Sequence, residues 1–288
     1  MDDQDIEAAV EQRRLWLEHQ LQAAADRFGV TTRGDTVNTY DMRSAGRPAR
    51  TSDGEPVWLR VVLEDPDYQP HCRWDGNVTA NAIANVPKPT VHQWADWAAG
   101  EYAPGRRVRG EVMDLAPGAA VSQESILHDD PGLPDQWWSD LTAAVAALAA
   151  HPVPEPDDFD LAAVIMGHVE AHFGVTLDPA LFASLAWTAA HTDLHWANLA
   201  GPQLSIMDWE TWRRAPAGYD AATLYCASLL HPPTARRVRD TFASVLDTAT
   251  GRVALLGVAA RYLCLTTDDH LQLEPHLHSL GEKLLKQL

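Results

Sequence analysis

The chain has 288 residues, enough for two lobes or one large domain on a soft prior of about 150 residues per domain. Its formal charge of −18 would repel polyanions, which excludes nucleic acid and an anionic membrane as expected partners and favours a cationic small molecule. No apolar run reaches the ~18 residues of a spanning helix, the acidic start Met1-Asp2-Asp3-Gln4-Asp5 lacks the layout of a secretory signal, and Cys72, Cys226 and Cys264 are too scattered for a disulfide framework, so a cytoplasmic protein is expected.

The first expected element is a helix over residues 5–28, with Ile6, Val10, Leu15, Leu17 and Leu21 as its apolar stripe and Gly29 as its C-terminal cap. Residues 36–64 read as three antiparallel strands. Thr36–Tyr40 and Val57–Leu63 are rich in β-branched and aromatic residues, Asp53-Gly54 is a hairpin signal, and Ser44–Pro48 reads as a turn. A helix over 76–85 is stopped by Val86-Pro87-Lys88-Pro89, and a strand pair follows over 91–94 and 108–113. Ala116-Pro117-Gly118 then breaks the pattern. Beyond it helices are expected over 135–150, 161–173, 179–190, 218–230, 234–248, 253–265 and 273–285. A short β-rich part followed by a larger helical part makes the fold class α+β in two lobes, 1–113 and 114–288.

The chemistry concentrates in His191-Thr192-Asp193-Leu194-His195-Trp196-Ala197-Asn198, followed by the β-like run Leu204–Met207 and then Asp208-Trp209-Glu210. Phosphoryl transfer needs a carboxylate to orient the attacking hydroxyl, oxygen ligands for Mg2+, and a cation on the nucleotide phosphates. An aspartate followed five residues later by an asparagine can place a base and a metal ligand on one loop. A second aspartate just past a short strand can complete a hard-oxygen metal site.

This pattern, His-x-Asp-x-x-x-x-Asn and then Asp-Trp-Glu, resembles the catalytic and metal-binding loops of aminoglycoside phosphotransferases and choline kinases. The resemblance implies a bilobal protein-kinase-like fold, with a small antiparallel-sheet N-lobe and a larger helical C-lobe. It implies a small-molecule kinase that moves the γ-phosphate of ATP or GTP to a hydroxyl, in a resistance or a biosynthetic role. Asp193 would be the catalytic base, and Asn198 and Asp208 the Mg2+ ligands. His191 would pack the loop, and Asp220, in Gly218-Tyr219-Asp220, would buttress it. The motifs cover residues 191–222.

The N-terminal part departs from that family. No lysine precedes Lys88, so Arg60 in Val57-Trp58-Leu59-Arg60-Val61 is the expected phosphate cation, with Asp75 the nearby acid. No two glycines stand two apart, so Ser44 and Gly46 are the candidates for a phosphate-contacting turn. The nucleotide-base linker falls near Met113–Ala116, which marks Asp114 and Ala116. The missing lysine and glycine loop leave a nucleotide-binding pseudokinase as an alternative. A metallohydrolase built on His191 and His195 is a second. Asp129-Asp130, Asp135 and Asp268-Asp269 are expected to rim the site of a cationic acceptor, while Trp209 and Trp212 are expected in the core, with a cation–π face for that acceptor as the alternative.

Overall fold

A computed structural model describes residues 3–39, 42–65, 72–153 and 159–288. Tyr40, at the end of the first expected strand, lies outside them. The chain forms two compact units, Met1–Asn81 with Pro89–Ala116, and Ala82–Lys88 with Pro117–Leu288. One boundary, after residue 113, is expected from sequence, whereas this division is discontinuous: residues 82–88 leave the first unit for the second.

The first unit opens with helix α1 (Asp3–Phe28). Its buried face is Leu17, Leu21, Ala24 and Ala25, spaced by i, i+4, i+7 and i+8. Val10 and Leu15, expected in the stripe, are exposed. They lie off the face that meets the sheet. Gly29 ends the helix at φ +66°, a left-handed geometry that glycine adopts without steric cost. The sheet is built from β1 (Thr31–Thr32), β2 (Val37–Asn38), β3 (Ser44–Arg50), β4 (Pro56–Leu63), β5 (Val91–Ala98) and β6 (Arg107–Asp114). Its order is β1-β3-β4-β6-β5, with β2 also on β3. Val57, Leu59, Val61 and Leu63 alternate onto the face that packs with α1, beside Val108 and Val112 of β6. The intervening residues, Arg60 among them, take the other face.

Two expectations are corrected in this unit. Ser44–Pro48 is not a turn but the first half of β3, where Gly46 pairs with Val37 on one side and Arg60 on the other. Gly46 sits in the strand because the Trp58 ring fills the space a Cβ would take, with Trp58 Nε1 2.5 Å from that position. The helix expected over 76–85 is shorter, a single turn α2 (Gly76–Thr79) followed by a 3-10 turn over Ala80–Ala82.

The second unit contains β7 (Gly118–Ala120), α3 (Asp135–Ala149), α4 (Leu161–Phe173), α5 (Pro179–Ala183), β8 (Trp187–Ala190), β9 (Leu199–Pro202), β10 (Ser205–Ile206), β11 (Arg213–Pro216), α6 (Tyr219–Cys226), α7 (Pro232–Thr241), α8 (Ala243–Leu246), α9 (Ala249–Leu263) and α10 (Asp268–Leu285). The helix expected over 179–190 stops after one turn, and its second half is β8, which pairs with β11. The helix expected over 234–248 is broken into α7 and α8. Helix α9 is buried on nearly every side from Val253 to Ala260, against α4, α6 and α10. Trp137, Trp138, Trp196, Trp209 and Trp212 are all buried, so the last two pack in the core as expected and do not offer the alternative cation–π face. None of the described helices is long and apolar enough to cross a membrane.

Candidate active site

The polar segment 191–212 is a loop closed at its base by the β8–β11 pair, where Ala190 faces Arg213. Inside it the β9–β10 hairpin pairs Ala200 with Ser205. Asp220, in the first turn of α6, accepts the backbone N–H of His191 at 2.9 Å and of Thr192 at 2.8 Å. Thr192 Oγ1 donates to the Thr211 carbonyl at 2.8 Å, and Thr211 Oγ1 donates back to the His191 carbonyl at 2.8 Å. Burial pushes the Asp220 carboxyl up, while His191 and the two amides favour its charged form. Asp220 therefore ties the start of the loop to α6.

Asp193 follows directly, with 26% of its side chain exposed. Its Oδ1 is paired with Arg261 of α9, and its Oδ2 lies 3.3 Å from His195 Nε2. Burial works against the charge of this carboxylate, but the His195 ring and the Arg261 guanidinium outweigh it and hold the group well below the usual carboxylate range. Asn198 is buried and donates from Nδ2 to the Asp193 carbonyl at 2.9 Å.

Asp208 is brought to this loop through its neighbour Met207. The Met207 N–H donates to the Asn198 carbonyl at 2.8 Å, and His191 Nε2 donates to the Met207 carbonyl at 2.8 Å. Met207 is thus pinned at both ends, and exposed Asp208 follows at φ +60°, a region that aspartate tolerates better than most residues. Trp209 anchors the far side by donating from Nε1 to the Ile206 carbonyl at 2.8 Å. The three expected polar groups, Asp193, Asn198 and Asp208, are carried on one hydrogen-bonded assembly. The side chains of Asn198 and Asp208 offer hard oxygen donors of the type Mg2+ prefers, with phosphates and water left to fill its shell.

His191 is fully buried, and both ring nitrogens are engaged, because Nδ1 accepts the Asp193 N–H at 3.3 Å. It cannot also join His195 around a transition metal. Among the described residues no group of three or more His, Cys, Asp or Glu is placed to hold a metal ion. The metallohydrolase expectation is corrected accordingly.

The first unit places its candidates less as expected. Arg60 is 8% exposed, and its Nη1 lies 3.3 Å from Glu111 Oε2 on β6, its direct partner in register. Glu111 is 1% exposed and also accepts from Asn77 Nδ2 at 2.9 Å. The acid beside Arg60 is therefore Glu111 and not Asp75, whose Oδ1 lies 3.9 Å from Arg73 Nε. A charged residue alternating with apolar ones in Val108-Arg109-Gly110-Glu111-Val112 was the available signal. Ser44 and Gly46 lie in a strand paired on both sides, so the phosphate turn assigned to them is absent from that position. Asp114 ends β6, where its carboxylate accepts the Thr90 N–H at 2.9 Å and pairs with His92 Nε2 at 2.6 Å. Burial opposes its charge, and His92 and Thr90 hold it below the ordinary value. Ala116 is the last residue of the first unit before the chain enters the second.

No protein-family model matches the sequence, and no curated protein matches it. Solved structures do. Aminoglycoside 2′-phosphotransferase-IIIa, solved with GDP, aligns at TM-score 0.57 and 13% identity over 93% of this chain and 99% of its own. An amicoumacin kinase solved with AMP-PNP and Ca2+ aligns at 0.55 and 12% over 95% and 96%. The choline kinase of Streptococcus pneumoniae aligns at 0.55 and 10% over 92% and 99%. The chain has the fold of small-molecule kinases. In that kinase-like fold the antiparallel sheet forms the N-terminal part and the helices the C-terminal part, as the resemblance implies. His195, weighed from sequence as a metal ligand beside His191, instead lies against Asp193 Oδ2. Arg261 pairs with Asp193 Oδ1 but carries no sequence signal, because it lies far downstream in an apolar helix.

Proposed function

We propose that the protein is a small-molecule kinase that transfers the γ-phosphoryl group of ATP or GTP to a hydroxyl. The observation that carries this reading is the assembly of Asp193, Asn198 and the Met207–Asp208 segment through His191, on a loop tied to Asp220. Asp193 Oδ2 orients the acceptor hydroxyl. As the new oxygen–phosphorus bond forms, the bond from γ-phosphorus to the bridging oxygen breaks, and the hydroxyl proton passes to the carboxylate. Asn198 and Asp208 would hold Mg2+, which when bound would screen the charge of the triphosphate. Arg60, steadied by Glu111, is the proposed phosphate cation in place of a strand lysine, and Asp114 and Ala116 mark the proposed base-binding linker.

The acceptor is proposed to be cationic, an antibiotic or an amino alcohol. In support, the chain carries −18, and His128, the neighbour in sequence of the 129–130 acids, has its Nε2 3.0 Å from Asp269 Oδ1 in the first turn of α10. The experiment is a screen of Mg-ATP and Mg-GTP consumption against hydroxylated amines, antibiotics and sugars. Acceptor-dependent nucleoside diphosphate release, absent in Asp193→Asn, supports the kinase. No consumption with any acceptor in either nucleotide rejects it.

A further inference from the structure

We propose that Arg261 is a positioning residue that grips the Asp193 loop from helix α9, so that carboxylate oxygen Oδ2 alone is presented to the acceptor hydroxyl. The inference rests on the phosphotransfer reading and adds to it a residue outside its motifs.

Arg261 stands in the last turn of α9, whose body from Val253 to Ala260 is buried and apolar. A guanidinium at the end of such a helix needs partners, and it finds them on two consecutive residues of the loop. Nη1 donates to the Thr192 carbonyl at 2.7 Å, and Nη2 pairs with Asp193 Oδ1. A planar fork that bridges a backbone carbonyl and the next residue's carboxylate fixes the peptide and the side chain together.

The loop requires such a grip. Thr192 is β-branched and lies at φ +65°. Strain of this kind persists only where the surroundings over-determine it. Asp220 holds the N–H of Thr192, Thr211 holds its hydroxyl, and Arg261 holds its carbonyl. The other oxygen of Asp193 is held more loosely, at 3.3 Å from His195 Nε2 and 3.5 Å from Asn198 Nδ2. Among the described groups that face Asp193 — His191, His195, Tyr219, Asp220, Tyr262 and His270 — Arg261 adds the permanent cation. Oδ1 is thereby committed to Arg261, and Oδ2 is the oxygen left to a substrate.

The test compares Arg261→Gln, Arg261→Lys and Arg261→Ala with wild type in three measurements. Mg-AMP-PNP binding is read by calorimetry. Turnover is read with the best acceptor of the panel or, lacking one, as inorganic phosphate released from Mg-ATP. Amide hydrogen exchange is read at residues 191–194. Arg261→Gln is expected to lose about 10²-fold in kcat, as a misplaced reacting group does, with nucleotide affinity unchanged and exchange at 191–194 accelerated. Arg261→Lys keeps the charge but not the fork and should recover only part. Added guanidinium should restore turnover to Arg261→Ala in a saturable way, which a purely structural role would not produce. Wild-type kcat in Arg261→Gln overturns the proposal. If wild type consumes neither nucleotide, the phosphotransfer reading fails while exchange still reports the grip: acceleration in Arg261→Gln supports it and unchanged exchange overturns it.

Discussion

At the scale of single residues, the tasks proposed for Asp193 and Asp208 differ, so their variants should fail differently. Asp193→Asn removes proton acceptance and the charge paired with Arg261 but no proposed metal ligand, so it should bind Mg-nucleotide normally and lose about 10²–10⁴-fold in turnover. Asp208→Ala should lose the metal-dependent part of nucleotide binding itself. Calorimetry with and without Mg2+ separates the two, and equal Mg-nucleotide binding by both variants would remove Asp208 from the metal site. Arg60 needs more care, because it is buried against Glu111. Arg60→Ala leaves that carboxylate buried and uncompensated, a change that commonly costs about 3–5 kcal/mol. The single variant should therefore melt early. Arg60→Met combined with Glu111→Gln should recover stability but not nucleotide affinity. Recovery of both would show that the fork does not serve the phosphates.

At the scale of elements, the site is held by the ends of helices and strands. Residue 190 ends β8, Asp220 lies in the first turn of α6, and Arg261 lies in the last turn of α9. The first turn of α10 belongs to the same region. His270 is buried there, with Nδ1 2.6 Å from Thr267 Oγ1 and its ring edge-to-face with Tyr262. Burial, with a smaller contribution from Arg261 and despite Asp269, lowers its pKa below the ordinary 6.5. A histidine with a depressed folded value is neutral in the native state and takes up a proton on unfolding. Its contribution to stability is thus complete above the ordinary value and shrinks as pH falls from there toward the folded one. The melting temperature should drop on acidification through that window, and His270→Gln should show a smaller drop. An identical pH dependence in the variant would assign the effect to other groups.

At the scale of the whole molecule, the charge of −18 makes a statement about encounter rather than fold. Each exposed pair of unit charges at about 4 Å in water is worth roughly 1 kcal/mol, but many acids together steer a multiply charged ligand. For the best cationic acceptor, kcat/KM should fall as salt rises, since screening acts over about 8 Å at physiological ionic strength. A flat response, or a neutral sugar as the best acceptor, would reject the cationic substrate and leave the kinase standing. Not every acid assigned to that rim is available to it: Asp135, at the start of α3, is paired with Arg237 of α7.

Read in one dimension, the chain already determined the order of Asp193, Asn198, Asp208 and Asp220. These groups act through short spacings on a loop and a helix start, and local spacing is visible in sequence. The same holds for α1, α4 and α9, whose helical periods or caps are local, and for β4 with its alternating apolar residues. Only the tertiary structure decided which charges meet. Glu111 reaches Arg60 because β4 and β6 lie in one register, and Arg261 reaches Asp193 because α9 ends beside the loop. Neither pairing has a period or spacing that a sequence displays. Ser44–Arg50 and Trp187–Ala190 were hidden for a related reason. The first contains a glycine and a proline and the second is half alanine, so neither has strong local preference for a strand. Neighbouring strands impose that conformation on both.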